Sequence, residues 1–176
     1  MIACPSCGHE NIEGTDECEQ CQQPIGDAYL PPPTSSVEEG LLTERVAVLN
    51  PKVPITVEVS DTVQQVLDIL VNKGIGCVVV VDQGRPVGIF SEHDALMRLN
   101  TDTPASKDRP VVDFMTPNPR MLDNEAKVAF ATQRMDLDGY RHIPITDRDG
   151  ALQGIVSVRD ILRYLTDKLA SEQQAS

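Results

Sequence analysis

The chain has 176 residues, 40% of them hydrophobic, with 27 acidic against 15 basic side chains and a formal charge of −12. That length holds one ordinary domain plus a small appendage, and its longest apolar run, Cys77–Val81, falls far short of the roughly 20 residues a membrane span needs. No Lys or Arg precedes Arg45, which argues against a nucleic-acid partner, because phosphate backbones are bound through basic side chains. No basic stretch leading into an apolar run opens the sequence. No signal peptide is therefore expected, and the setting is expected to be cytoplasmic and reducing, where cysteine pairs read as metal ligands rather than disulfides.

Four of the five cysteines fall in residues 1–25, as Cys4-Pro-Ser-Cys7 and Cys18-Glu-Gln-Cys21. Two residues between cysteines let the chain turn back onto one ion, and a second pair completes a tetrahedron of thiolates. The segment has few large aliphatic residues (Ile2, Ile12 and Ile25), so metal binding would supply its folding free energy, on the order of 10 kcal/mol. Four thiolates leave no open position, so the ion is expected to be structural. The spacing resembles a zinc ribbon, with Zn²⁺ on Cys4, Cys7, Cys18 and Cys21. Iron is the alternative, although the second knuckle lacks a glycine after Cys21.

Residues 26–43 include Pro31, Pro32 and Pro33 and show no periodicity, which predicts an extended, semi-rigid linker. Residues 44–170 then match themselves. With a shift of 65, Pro54 meets Pro119, Val63 meets Val128, Gly74 meets Gly139 and Asp82 meets Asp147. With a shift of 66, Gly88 meets Gly154, Ser91 meets Ser157 and Asp94 meets Asp160. Two copies of one supersecondary unit are expected, residues 44–100 and 111–170, with a polar loop between them and a frayed tail at 171–176.

Each copy reads as β-α-β-β-α. A strand is predicted near Pro54–Val59. The spacing of Val63, Val66, Leu67 and Leu70 predicts an amphipathic helix ending at Gly74. Strands follow at Cys77–Val81 and Val87–Phe90 across a turn, and a helix from Glu92 to Leu99 closes the copy. The second copy gives strands near Ile143–Thr146 and Leu152–Val156 and a helix through Ile161 and Leu165. The fold class is α+β.

Gly88-Ile-Phe-Ser91-Glu-His-Asp94 and Gly154-Ile-Val-Ser157-Val-Arg-Asp160 each join a strand to a helix. Ser followed three residues later by an acid is a capping pattern. The same arrangement suits a ligand. The carboxylate can accept both hydrogens of a ribose diol, the serine can hold a phosphate oxygen, and the glycine admits close approach to the strand. Cys77, in its apolar strand, is most simply a core residue.

Two β-α-β-β-α units with these motifs, together with Tyr140-Arg-His-Ile-Pro-Ile-Thr-Asp147, resemble a CBS-domain pair, or Bateman module. The resemblance implies one pseudo-twofold module whose cleft binds AMP, ADP, ATP or S-adenosylmethionine. It also implies a homodimer that regulates an unidentified protein without catalysing a reaction. It groups Ser91 and Asp94 with Arg120, Tyr140, Arg141, His142 and Pro144, and Ser157 and Asp160 with Ile55, Gly76 and Cys77. The first group carries the basic residues, so Asp94 is expected at the better site and Asp160 at a site poor in charge, where only Arg159 and Lys52 could supply it. Glu92 and the net charge of −12 favour AMP or ADP over ATP. A protein-interaction adaptor with vestigial nucleotide sites and a docking ribbon is the alternative.

Overall fold

Local chemistry sets most element ends. In a computed structural model that describes residues 1–4, 7–12, 15, 17–23, 25, 32–99, 103–137, 139–147 and 149–175, helix α2 (Val63–Lys73) begins at Thr62. The Thr62 hydroxyl accepts from the Gln65 amide while the Gln65 side chain returns to the Thr62 amide. The helix ends at Gly74, whose φ of 61° is the left-handed conformation glycine adopts freely. Val63, Val66 and Leu70 are its buried stripe, as their spacing requires.

The chain divides into two compact units, residues 53–119 and residues 1–52 with 120–176. In the first unit, β3 (Thr56–Glu58) runs parallel to β4 (Cys77–Asp82), which pairs antiparallel with β5 (Arg85–Ser91), and β5 with β6 (Thr116–Pro117). In the second, β7 (Leu122–Asp123) runs parallel to β8 (His142–Thr146), which pairs antiparallel with β9 (Leu152–Ser157). Helix α5 (Val128–Leu137) corresponds to α2. The ladders slip at Val80/Val81 and at Ile145/Thr146, positions that the 65-residue shift superimposes. The repeat read in the sequence is thus repeated in strand order, direction and irregularity.

The units do not follow the sequence copies to their ends. The segment that leads into each copy completes the other copy's unit. Val46–Leu49 forms a 3-10 turn whose Val46 amide donates to Ala126, and Lys52 exchanges backbone hydrogen bonds with Ile155. Val111–Asp113 forms the matching turn in the first unit, where Val111 donates to Asp61 and β6 extends the sheet. Val46 and Val111 are fully buried, each in its unit's core.

Three expectations are corrected. Residues 36–43 are not an extended linker: they form α1 (Ser36–Thr43), capped by Ser35. Gly40 of α1 lies against the Tyr164 hydroxyl and Lys168, and the Ser36 amide donates to Glu172. The segment has no apolar periodicity to announce a helix, and it is the missing side chain of Gly40 that makes room for Tyr164. Residues 26–31 of the expected linker lie outside the described residues. Nor are residues 171–175 a frayed tail, since α6 (Val158–Ala175) runs through to Ala175. The last helix of the first copy spans the expected Glu92–Leu99 but changes character along its length. It has one α-turn, α3 (Glu92–Asp94), followed by a π-turn at Ala95–Leu99. The expected loop between the copies contains the short helix α4 (Thr103–Ser106).

Candidate ligand and metal sites

The four N-terminal cysteines come together. Their sulfurs lie within 4.8 Å of one another, with Cys4 to Cys21 at 3.7 Å and Cys7 to Cys18 at 3.5 Å. A tetrahedral ion with bonds of about 2.3 Å to sulfur needs edges of about 3.8 Å, so the thiolates fit such an ion. Two matching turns build the site. The Gly8 amide donates to Cys4 and the Cys4 amide to His9, while Gln22 donates to Cys18 and Cys18 to Gln23. Gly8 takes φ 75° and Gln22 φ 57°, so a glutamine occupies the left-handed position that the first knuckle gives to glycine. Asn11 Nδ2 lies 3.7 Å from Cys18 Sγ. Burial pushes the Cys18 thiol up, but the amides of Cys21 and Gln20 and the neighbouring thiols outweigh it and bring it to about 6. The cluster can hold a metal ion through Cys4, Cys7, Cys18 and Cys21.

Ser91 and Asp94 form a closed pair at the start of α3. The Ser91 hydroxyl donates to Asp94 Oδ2 at 2.6 Å and the Ser91 amide to the same oxygen at 3.0 Å. The other oxygen, Oδ1, accepts from Thr116 Oγ1 at 2.9 Å and lies 3.3 Å from the Arg98 guanidinium. Arg98 also donates to the carbonyls of Phe114 and Met115 and to Thr116. Asp94 is buried.

Ser157 and Asp160 repeat the pair at the start of α6, with the hydroxyl at 2.6 Å and the amide at 2.8 Å from Oδ2. Their Oδ1 differs in its neighbours. It lies 3.3 Å from Arg163 Nη1 and 3.7 Å from Lys52 Nζ. Burial pushes the Asp160 carboxyl up. The Ser157 hydroxyl and amide, then Lys52 and Arg163, outweigh it and hold the group below the usual carboxylate range. A cavity of about 280 Å³ opens beside Asp160, bounded by Asn50, Arg163, Tyr164 and Asp167.

Of the two cations expected as possible sources of charge at Asp160, Lys52 lies beside it, and Arg163 stands there in addition. Arg163 is not among the residues expected from sequence. Its signal is position, since a base three residues after a helix-capping acid lies on the same helical face. Arg98 and Thr116 were missed too. Arg98 carries the same signal, four residues after Asp94. Thr116 carries none, because only the exchange of lead-in segments brings it there. The two motif glycines also serve a different purpose from the one expected. A side chain on Gly88 would meet Met115, and one on Gly154 would meet Pro51, so each glycine admits the chain's own lead-in segment.

The remaining expected residues are divided between the units. Arg120, Tyr140, Arg141, His142 and Pro144 belong to the unit of Asp160, not to that of Ser91 and Asp94. There His142 is the strand partner of Ser157, and Pro144 is buried opposite Ile155. The Arg141 carbonyl accepts from Val158, Tyr140 packs against the core, and Arg120 is exposed. Ile55, Gly76 and Cys77 belong to the unit of Asp94. Cys77 is buried and is the strand partner of Ser91. Burial, then the Asp94 and Glu92 carboxylates, push its thiol up to about 12, which suits a core residue.

Comparison with known proteins gives a consistent result. The CBS domain model matches twice, at residues 47–101 and 111–167. An uncharacterised 17.7 kDa protein of Acidianus ambivalens is 33% identical over 129 residues, covering 72% of this chain and 71% of that protein. Inosine-5'-monophosphate dehydrogenase of Aquifex aeolicus is 30% identical over 118 residues, which span 62% of this chain but 22% of the enzyme. Among solved structures, a CBS-domain protein of Pyrobaculum aerophilum complexed with AMP superposes with a TM-score of 0.63 at 25% identity, covering 72% of this chain and 98% of that one. Among the described residues no helix is long and apolar enough to cross a membrane.

Proposed function

The chain belongs to the CBS-domain family as a tandem pair, and we propose that it is a regulatory protein that binds an adenosyl ligand and modulates a partner protein rather than catalysing a reaction. The observation that carries this reading is the duplicated Ser–Asp pair, a carboxylate fixed at the start of a helix in both units. The AMP complex of the Pyrobaculum aerophilum relative supports the ligand class. An ionised carboxylate is acceptor-only and suits the two hydroxyls of a ribose. Lys52 and Arg163 beside Asp160 supply charge for a phosphate. The net charge of −12 favours AMP or ADP over ATP. Arg120, Tyr140, Arg141, His142 and Pro144 are proposed neighbours of a ligand in the unit of Asp160, and Ile55, Gly76 and Cys77 of one in the unit of Asp94.

The same reading gives the N-terminal knuckles a structural Zn²⁺, supported by the fit of the four sulfurs to a tetrahedron. It also gives a homodimer, supported by exposed apolar side chains at Val71, Leu96 and Met97 in one unit and Leu137, Leu162 and Leu169 in the other. Calorimetric titration of the full chain with AMP tests the ligand class. Saturable binding that guanosine monophosphate does not reproduce is expected, and equal binding of the two nucleotides contradicts adenosyl recognition. A strictly monomeric mass by light scattering rejects the dimer.

A further inference from the structure

The two Ser–Asp pairs differ in what the chain itself places on the second carboxylate oxygen. The repeat makes the comparison position by position. The shift of 66 that matches Asp94 with Asp160 matches Arg98 with Tyr164, and the shift of 65 that matches Pro54 with Pro119 matches Pro51 with Thr116. In the first unit, Thr116 donates to Asp94 Oδ1 and Arg98 pairs with it. In the second, the corresponding proline has no hydroxyl to donate and the corresponding tyrosine carries no positive charge.

The remaining cations also differ in how they are held. The Arg98 guanidinium is fixed by the Phe114 and Met115 carbonyls and by Thr116, and withdrawing it from Asp94 breaks that set together. Lys52 and Arg163 have side chains 64% and 60% exposed, and among the described residues each reaches Asp160 alone. The cavity adjoins Asp160 and is bounded by Tyr164, the residue that stands in for Arg98. The helices differ as well. Asp160 opens the 18-residue α6, whereas Asp94 opens a helical stretch over Glu92–Leu99 that passes from α to π after Asp94.

We propose that Arg98 and Thr116 occupy the site at Asp94 from within the chain, so that the adenosyl ligand binds at Asp160 alone, one per chain. This rests on the adenosyl-binding reading above and reverses the order of the two sites expected from sequence. The residues that decide specificity between the sites are Arg98 and Thr116.

Equilibrium dialysis of the full chain with radiolabelled AMP, and in parallel with radiolabelled S-adenosylmethionine, tests it. One equivalent is expected to bind the unaltered chain. Asp160→Asn should weaken binding at least tenfold, while Asp94→Asn should leave it within about twofold; neither substitution changes side-chain size. Arg98→Ala with Thr116→Val should raise the stoichiometry to two, and Arg98→Gln with Thr116→Val serves if that double variant does not fold. Two equivalents on the unaltered chain, loss of binding in Asp94→Asn with retention in Asp160→Asn, or a folded Arg98 variant that still takes one equivalent would each overturn the proposal while leaving adenosyl binding intact. No binding of either probe to any variant overturns both.

Discussion

The Lys52 ammonium stands 3.7 Å from Asp160 Oδ1, although the two residues belong to different copies of the sequence repeat. Lys52 arrives there because the segment leading into the first copy completes the second copy's unit, where it shares two backbone hydrogen bonds with Ile155. Because the lysine end of the pair lies in solvent, the pair contributes at most about 1 kcal/mol to stability, so Lys52→Ala should melt within a few degrees of the unaltered chain. Its effect should fall on ligand charge instead. AMP binding is expected to weaken about three- to tenfold at low salt and less at high salt, while adenosine binding is unchanged. Titrations at two ionic strengths check this.

Gly40 faces Tyr164 and Lys168 closely enough that an added methyl group collides with both. Gly40→Ala should therefore destabilise the protein despite alanine's better helix propensity, by about 1–3 kcal/mol. At about 2–4 °C per kcal/mol for a chain of this size, calorimetry should read a clear fall in Tm. A rise would mean that α1 is not held against α6.

Acid should weaken the second unit through two carboxylates. Lys168 beside Glu44 holds that carboxyl below its ordinary range, and the Ser157 contacts, Lys52 and Arg163 hold Asp160 below its own. A depressed folded-state value means the stabilisation is complete above the unfolded values of about 4. It is lost as pH falls through the depressed ones. Asp160→Asn should melt below the unaltered chain at pH 7, and the two curves should converge as pH falls through the folded value. A constant gap down to pH 2 contradicts this.

Removing the metal should affect residues 1–25 and spare the rest. Elemental analysis of protein purified without chelator should find one zinc per chain, and Cys18→Ser should lose it. Deleting residues 1–31 should leave the main melting transition in place. Deleting residues 1–44 should lower it, because α1 and the Glu44–Lys168 ion pair go with that segment. Equal melting of the two truncations would restore α1 to the status of a linker.

The elements with strong local signals were legible in the sequence. Val63, Val66 and Leu70 announce α2, and Gly74 announces its end. The 65-residue shift announces the duplicated sheets, and the cysteine spacing announces the knuckles. What was not legible is what depends on tertiary exchange. Nothing near Thr116 or Lys52 in the chain signals that each serves the carboxylate of the other copy. Nothing around Gly40 signals Tyr164, which lies far along the chain. The Ser–Asp motif was read correctly as a pair, but the neighbours that make its two instances unequal come from segments that local periodicity does not connect.

The most direct measurement of the central claim is the melting temperature of the full chain in the presence of AMP, ADP, ATP, S-adenosylmethionine and NADH, with guanosine and cytidine monophosphates as controls. A ligand at about 100 times its Kd adds about 2.7 kcal/mol, which for a chain of this size raises Tm by roughly 5–10 °C. Such a rise with at least one adenosyl compound, largest for AMP or ADP and absent with the controls, is the predicted result. An unchanged Tm with every adenosyl compound at millimolar concentration, or an equal rise with the controls, would contradict an adenosyl-binding function.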